Sequence, residues 1–168
     1  MSKVFFGNSG AEANEGAIKA ARKYSFDKYG ADRYNVITLV NSFHGRTIAT
    51  LTATGQGVFH NYFGPFNEGF QYVKAGDIDA LTEMVDRHTC AVMLELVQGE
   101  GGVVALEPEY VQAVRALCDE KTSSSSWTRC RPAWAAPAPS CAASTTTSSP
   151  TSSRWPRVWA AVCRSALS

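Results

Sequence analysis

Three short stretches of the sequence combine small, charged and aromatic residues in patterns that could bind a ligand. The first is the turn Gly7 to Ala11, between a short apolar run and a long segment of helix-forming residues. A helix that begins here directs free backbone N–H groups and the positive end of its dipole at the turn, which favours a phosphate. Because such turns are common without any ligand, an ordinary capped turn is at least as good an interpretation.

The second stretch is "NSFHGRT", residues 41–47, which follows the apolar run "NVITLV". Open α/β sheets bind ligands after the carboxyl ends of their strands. Here Phe43 could stack on a planar cofactor, and Arg46 could bind a carboxylate through two hydrogen bonds. His44 adds a titratable ring and Gly45 permits close approach. Taken singly, core packing explains Phe43 and a structural, hydrogen-bonded ring explains His44.

The third stretch, "ELVQGEGGV", places Glu95 at the end of another apolar run, with Gln98 and Glu100 in the glycine-rich loop after it. An unpaired carboxylate at the end of a buried strand is costly, so Glu95 needs a partner or a function. A structural ion pair and a functional role are evenly balanced interpretations.

The elements that would position these stretches alternate along the chain. Residues 4–6, 35–40 and 91–96 have the apolar, β-branched character of strands, and the capping-box spacing of Ser9 and Glu12 predicts a helix from Gly10 or Ala11. The segments "DIDALTEMV" and "EPEYVQAVRALCDEK" have helical spacing of apolar residues. This order predicts an α/β domain with a mainly parallel sheet.

Composition divides the 168-residue chain in two. Residues 1–121 hold 11 Lys and Arg against all 15 Asp and Glu, a net charge of −4, whereas residues 122–168 carry +5. The scattered arginines of the tail lack the pattern of a nucleic-acid site. The five cysteines lack metal-ligand spacing, and no apolar run is long enough to span a membrane. We therefore expect no metal, no nucleic acid, no membrane and a cytoplasmic protein.

Taken in order, "GNSGAEANEGAIKAAR", "NSFHGRT", "TATGQ" and "ELVQGEGGV" resemble the class III, fold type I aminotransferases, and within them the acetylornithine-type enzymes. The resemblance covers residues 3–121. It implies part of the large domain of a pyridoxal-phosphate-dependent transferase, with a mainly parallel sheet and flanking helices. The family's reaction transfers the δ-amino group of N-acetylornithine to 2-oxoglutarate in arginine biosynthesis, and the family's enzymes are homodimers.

The resemblance also implies roles for individual residues. Ser9, Gly10 and Ala11 would bind the cofactor phosphate, and Phe43 would stack on its pyridine ring. Arg46 would bind the α-carboxylate of the substrate. Glu95 resembles a family glutamate near the substrate pocket that can pair with an arginine.

The family's Schiff-base lysine and its aspartate at the pyridinium nitrogen lie beyond the part that matches Lys121, and residues 122–168 contain neither Lys nor Asp. A segment that precedes the part matching Met1 in the family is also missing. We therefore expect a fragment of the large domain over residues 1–121, an unstructured tail over residues 122–168, and no activity from the chain as written. No catalytic residue is assigned.

All four tryptophans lie in the tail, and their single codon permits a test for a shifted reading frame. If one base is restored before codon 122, GC-rich codons turn "TSSSSWTRCRPAWAAPAP" into "DLLLLVDEVQTGVGRTGA", which resembles the family's aspartate motif. The same shift turns "RWPRVWAAVCRSA" into "LAKGLGGGLPIGA", which resembles the lysine motif. The alternative is a natural Ser/Thr/Pro-rich linker, but such linkers are usually poor in aromatic residues.

Three functional hypotheses follow. The first is a fragment of an acetylornithine-type aminotransferase with a frameshifted tail. The second is a non-catalytic pseudogene remnant that binds phosphate or cofactor weakly or not at all. The third is a fragment of an ornithine- or 4-aminobutyrate-type ω-aminotransferase.

Overall fold

The computed structural model describes residues 5–123 and 133–134. The helices are α1 (Gly10–Tyr29), α2 (Ile48–Ala53), α3 (Ile78–Met84) and α4 (Pro108–Ser123), with one 3-10 turn at Gly57–His60. The strands are β1 (Asn35–Leu39), β2 (Phe70–Val73), β3 (Thr89–Leu94), β4 (Val97–Gln98), β5 (Val104–Ala105) and β6 (Ala133–Trp134).

A parallel sheet in the order β2-β1-β3-β6 forms the centre of the described structure. Helices join successive parallel strands, as the alternation of elements in the sequence predicts. The strands β4 and β5 form a separate antiparallel pair in the loop after β3. Since β1 lies between β2 and β3, the loops after β1 and β3 emerge side by side at one edge of the sheet.

Side chains alternate between the two faces of a strand, and in β1 and β3 both of these faces are buried. One face packs against α3 and α4 through the cluster Ile37, Leu39, Val73, Leu81, Val92, Leu94, Tyr110, Val114, Leu117 and Cys118. The other packs against α1 and α2 through the cluster Ile18, Val36, Ala53, Cys90, Ala91 and Met93. The sheet is therefore the middle of three layers.

Helix α1 begins at Gly10, as the sequence predicts. The Ser9 hydroxyl accepts the backbone N–H of Glu12 at 3.2 Å, which is the first half of a capping box. The second half differs, because the Glu12 carboxylate accepts the N–H of Asn8, at 2.6 Å, and not that of Ser9. The Glu12 carboxylate therefore binds the turn at Asn8, one residue further from the helix than a capping box predicts.

Two of the predicted strands differ from the structure. Phe5 and Phe6 are not in a strand, and both are largely exposed. No strand among the described residues pairs with them, and an isolated strand is not stable alone. The third predicted strand, residues 91–96, is shifted by two residues, since β3 spans Thr89–Leu94 and ends before Glu95.

The predicted boundary after Lys121 falls inside α4, which continues to Ser123. In the tail, Ala133 and Trp134 form β6, parallel to the end of β3. Residues 124–132 and 135–168 of the tail lie outside the described residues, as do residues 1–4. The division into residues 1–121 and 122–168 stays a prediction.

Gly55 fixes the end of β1 against the segment that follows α2. Val40 and Gly55 form an isolated parallel bridge, and a Cβ on Gly55 would lie 2.0 Å from the carbonyl oxygen of Leu39. No side chain fits at that distance, so the contact requires glycine.

We therefore expect Gly55→Ala to lower the free energy of unfolding by about 1–3 kcal/mol, the usual cost of overpacking. Gly57→Ala is the matched control, because nothing lies within 4 Å of a Cβ at Gly57. Urea unfolding followed by circular dichroism measures both. Equal midpoints for the two variants would show that the backbone moves aside at Gly55 without cost.

Candidate active site

The candidate site lies where the loop after β1, residues 41–46, meets the N-terminus of α1. The point of contact is Gly45, whose φ is +133°. A Cβ there would lie 2.7 Å from the Cβ of Ala11 and 2.7 Å from the Thr50 hydroxyl. The backbone of the loop therefore packs directly on Ala11 in the first turn of α1, and no side chain fits at position 45.

The first turn of α1 offers two unused hydrogen-bond donors. Ser9 caps the N–H of Glu12, and the N–H of Ala13 donates to the Ser9 carbonyl at 3.1 Å. The N–H groups of Gly10 and Ala11 have no partner among the described residues. A 20-residue helix aligns its dipole behind these two donors, so its N-terminus suits an anion such as a phosphate.

Side chains from α1 and the α2 region hold the backbone of the loop around His44. The N–H of His44 donates to the Thr54 hydroxyl at 3.0 Å, and the Asn14 side-chain amide donates to the His44 carbonyl at 2.8 Å. Asn14 and Thr54 are both buried. The loop therefore has a fixed path although it contains no helix or strand.

The ring of His44 is buried, and neither ring nitrogen has a hydrogen-bond partner among the described residues. Within the described residues, the expected hydrogen bond to the His44 ring is absent. The hydrogen bonds at this position are made by the backbone of His44. Burial lowers the pKa of His44 from 6.5 to about 4. The ring is therefore neutral at pH 7.

Phe43 and Arg46 differ in exposure. Phe43 is half-buried, and its ring meets that of Phe59 edge-on, with centroids 5.6 Å apart. This packing agrees with the structural interpretation of Phe43 and leaves a role beside a cofactor open. Arg46 is exposed and has no ion pair or hydrogen bond within residues 5–123. Its guanidinium is free to bind an anion.

Glu95 is nearly buried, with 8% of its surface exposed. Its Oε2 accepts the backbone N–H of Phe43 at 3.0 Å. In the part of the chain that the structure describes, Glu95 makes no ion pair, so the structural ion pair, one of two evenly balanced interpretations, is absent there. Burial, opposed by the Phe43 N–H and assisted by the nearby Glu100, raises the pKa of Glu95 to about 7.

The structure therefore brings two pairs of predicted residues together, Gly45 with Ala11 and Phe43 with Glu95. Sequence reasoning did not assign roles to Asn14, Thr54 or Gly55, which hold the loop. The only signal for Thr54 and Gly55 was their place in "TATGQ", and a buried Asn on a helix gives no periodic signal of its own.

A model of the class-III aminotransferase family matches residues 1–123. That match covers most of the chain. The chain belongs to the class-III aminotransferases.

Individual relatives agree with this assignment. An acetylornithine aminotransferase from Caldanaerobacter subterraneus subsp. tengcongensis is 64% identical over 118 residues, which are 70% of this chain and 30% of that protein. One from Haemophilus ducreyi is 60% identical over 119 residues, again 70% of this chain and 30% of the relative. This aminotransferase chain thus spans about 30% of the length of these curated relatives.

Solved structures show the same fold. The ornithine aminotransferase of Toxoplasma gondii, crystallised with pyridoxal phosphate at partial occupancy in its active site, has a TM-score of 0.66 and 33% identity. The alignment covers 77% of this chain and 29% of that one. An ω-transaminase from Thermomicrobium roseum has a TM-score of 0.62 and 30% identity, covering 68% of this chain and 30% of that one.

Class-III aminotransferases use pyridoxal phosphate. The described residues fit such a cofactor, because two free N–H groups at the N-terminus of α1 suit its phosphate and an aromatic ring lies on the neighbouring loop. No helix in the described residues is long and apolar enough to cross a membrane.

Two buried titratable groups of the candidate site, Glu95 and His44, affect stability in opposite directions. Between pH 4.5 and 7 the folded chain binds more protons at Glu95 than the unfolded chain, so this contribution to the free energy of unfolding falls as pH rises. Between pH 4 and 6.5 the unfolded chain binds more protons at His44, so that contribution rises with pH.

We therefore expect Glu95→Gln to make the urea midpoint rise more steeply between about pH 5 and 6.5 than it does in the unmodified chain. His44→Gln should make the midpoint rise less steeply or fall over the same interval. Urea titrations of the three chains at both pH values measure the slopes. Three identical slopes would contradict the burial of both groups.

Proposed function

We propose that residues 1–121 are a fragment of the cofactor-binding large domain of an acetylornithine-type aminotransferase. In this proposal the whole enzyme transfers the δ-amino group of N-acetylornithine to 2-oxoglutarate, as a cytoplasmic homodimer in arginine biosynthesis. The identity of 64% with an acetylornithine aminotransferase supports this choice of substrate. The observation that carries the proposal is the pair of free N–H groups at Gly10 and Ala11, beside the loop that holds Phe43.

Ser9, Gly10 and Ala11 would bind the phosphate of pyridoxal phosphate. Phe43 would lie against its pyridine ring and Arg46 would bind the α-carboxylate of the amino-acid substrate, since its guanidinium is exposed and unpaired in the described part of the chain. Glu95 would lie near the same substrate. When bound, pyridoxal phosphate supplies the electron sink for amino-group transfer, and the protein orients it.

We further propose that the chain as written does not catalyse this reaction. Covalent attachment of the cofactor needs a lysine in the site, and the tail from Thr122 onward contains no lysine. The fixed tryptophan codons support a reading frame shifted by one base near codon 122. A non-catalytic pseudogene remnant is the second candidate, and the tail composition is the observation in its favour.

An ornithine- or 4-aminobutyrate-type enzyme is the alternative within the family. The likeness to the ornithine aminotransferase of Toxoplasma gondii favours it, but at 33% identity that likeness is much weaker than the identity to acetylornithine aminotransferases. Amino-donor assays on the frame-restored chain with N-acetylornithine, ornithine and 4-aminobutyrate separate the substrates.

The phosphate site is tested by Gly10→Pro. Proline is tolerated at the first position of a helix, and the extended backbone of Ser9, with φ −141° and ψ 163°, suits a following proline. The substitution removes one N–H, so we expect pyridoxal phosphate to bind about tenfold more weakly, the typical loss of one hydrogen bond to a charged group.

Gly10→Ala is the matched control, because it keeps the N–H. Equilibrium dialysis against pyridoxal phosphate measures both dissociation constants. If the two variants bind equally well, the N–H of Gly10 does not contact the phosphate.

The frameshift is tested by inserting one base before codon 122. After incubation with one equivalent of pyridoxal phosphate and reduction with borohydride, we expect a single preferred adduct on the restored lysine of the frame-restored chain and no preferred lysine on the chain as written. Intact-mass measurement followed by peptide mapping locates the adducts. The same scattered adducts on both chains, or a single preferred lysine on the chain as written, would contradict the proposal.

A further inference from the structure

The segment after β3 contacts the loop after β1 through more than Glu95. The side-chain amide of Gln98, itself buried, donates to the carbonyl of Val40 at 3.0 Å. A Cβ on Gly101 would lie 2.8 Å from the carbonyl oxygen of Asn41, so the two backbones touch. The segment after β3 thus contacts the end of β1 and the loop that follows it at three separate points.

The loop needs such support because it starts with a costly conformation. Asn41 has φ 65°, in the left-handed region that residues other than glycine rarely adopt. This conformation costs roughly 1–2 kcal/mol and persists only where the surroundings hold it. The N–H of Asn41 donates to the carbonyl of Gly55 at 2.9 Å, and its carbonyl lies against Gly101.

The next support along the loop is the carboxylate of Glu95. Ser42 donates its N–H to the Leu39 carbonyl at 3.1 Å, whereas Phe43 is too far along the turn for a backbone partner and donates to Glu95. Glu95 comes directly after β3, a strand that is buried throughout, so its backbone position is fixed. A rigid strand end therefore determines where the backbone of Phe43 lies.

We propose that Glu95 is a positioning residue, which sets the orientation of the Phe43 ring in the cofactor site by holding the Phe43 N–H. The inference rests on the proposed cofactor site and gives Glu95 a role other than the substrate contact that the family resemblance implies. Its Oε2 is occupied by the loop, and no cation among the described residues pairs with it. The role requires an acceptor oxygen at this distance and does not require a negative charge.

Three substitutions of Glu95 separate these requirements. Glu95→Gln keeps an acceptor oxygen at the same reach and removes the charge. Glu95→Asp keeps the charge and draws the acceptor back by one methylene. Glu95→Leu removes the acceptor at similar size. We expect the amide of Phe43 to exchange with solvent at an unchanged rate in Glu95→Gln and at least about tenfold faster in the other two, as the loss of one hydrogen bond predicts.

Amide exchange measured by NMR on the full ¹⁵N-labelled chain gives these rates without any cofactor. The amide of His44, which Thr54 holds, is the internal control and should keep its rate in all variants. If Glu95→Leu does not fold, Glu95→Asp still decides. Equal exchange of the Phe43 amide in all chains would overturn the proposal.

Pyridoxal phosphate binding by equilibrium dialysis completes the test. We expect Glu95→Gln to bind as the unmodified chain does, and Glu95→Asp about tenfold more weakly. If all chains bind the cofactor equally while the Phe43 amide exchanges faster in some of them, Glu95 does not set the orientation of the Phe43 ring in the cofactor site, and this part of the proposal is overturned. If the unmodified chain binds no cofactor, the proposed cofactor site fails, while the exchange rates still decide whether Glu95 holds the loop.

Discussion

The contact of Gly45 with Ala11 sets the geometry of the candidate site. The two residues are distant in sequence, and a Cβ on Gly45 would lie only 2.7 Å from the Cβ of Ala11. Because the backbone of Gly45 packs on the short side chain of Ala11, the separation between the free N–H groups of α1 and the loop that holds Phe43 does not depend on a flexible side chain. A rigid ligand with a phosphate at one end and a ring at the other needs such a fixed separation.

Backbone polar groups in and beside the loop have hydrogen-bond partners from several elements. Asn14 comes from α1, Thr54 follows α2, and Glu95 and Gln98 follow β3. Since an unpaired buried N–H or carbonyl costs about 1–3 kcal/mol, these bonds make the path of the loop much more favourable than other paths. The loop is thus held by the surrounding sheet and helices, and its own sequence supplies the glycine, the left-handed asparagine and the Ser42 hydroxyl, which accepts the N–H of Gly55.

Features determined by neighbouring residues could be predicted from the sequence. The start of α1 follows from the Ser9 cap, the start of α4 from Pro108, and the parallel sheet from the alternation of strands and helices. Features that need a distant partner could not be predicted from the sequence. A strand was predicted at Phe5 and Phe6 from their apolar character, but strand formation depends on a neighbour, and none pairs with them among the described residues. The buried partners of the 41–46 loop lie up to 52 residues away from it, and no local pattern marks them.

The two apolar clusters have a consequence for synthesis on the ribosome. Among the described residues, both consist of residues from Ile18 to Cys118. Every one of these side chains is therefore translated before the ribosome reaches codon 122. Since the last residues made are still inside the exit tunnel when codon 122 is read, the three-layered core assembles while the tail is being added. A change of reading frame at that codon thus alters what is attached to the core without altering any residue of its two clusters.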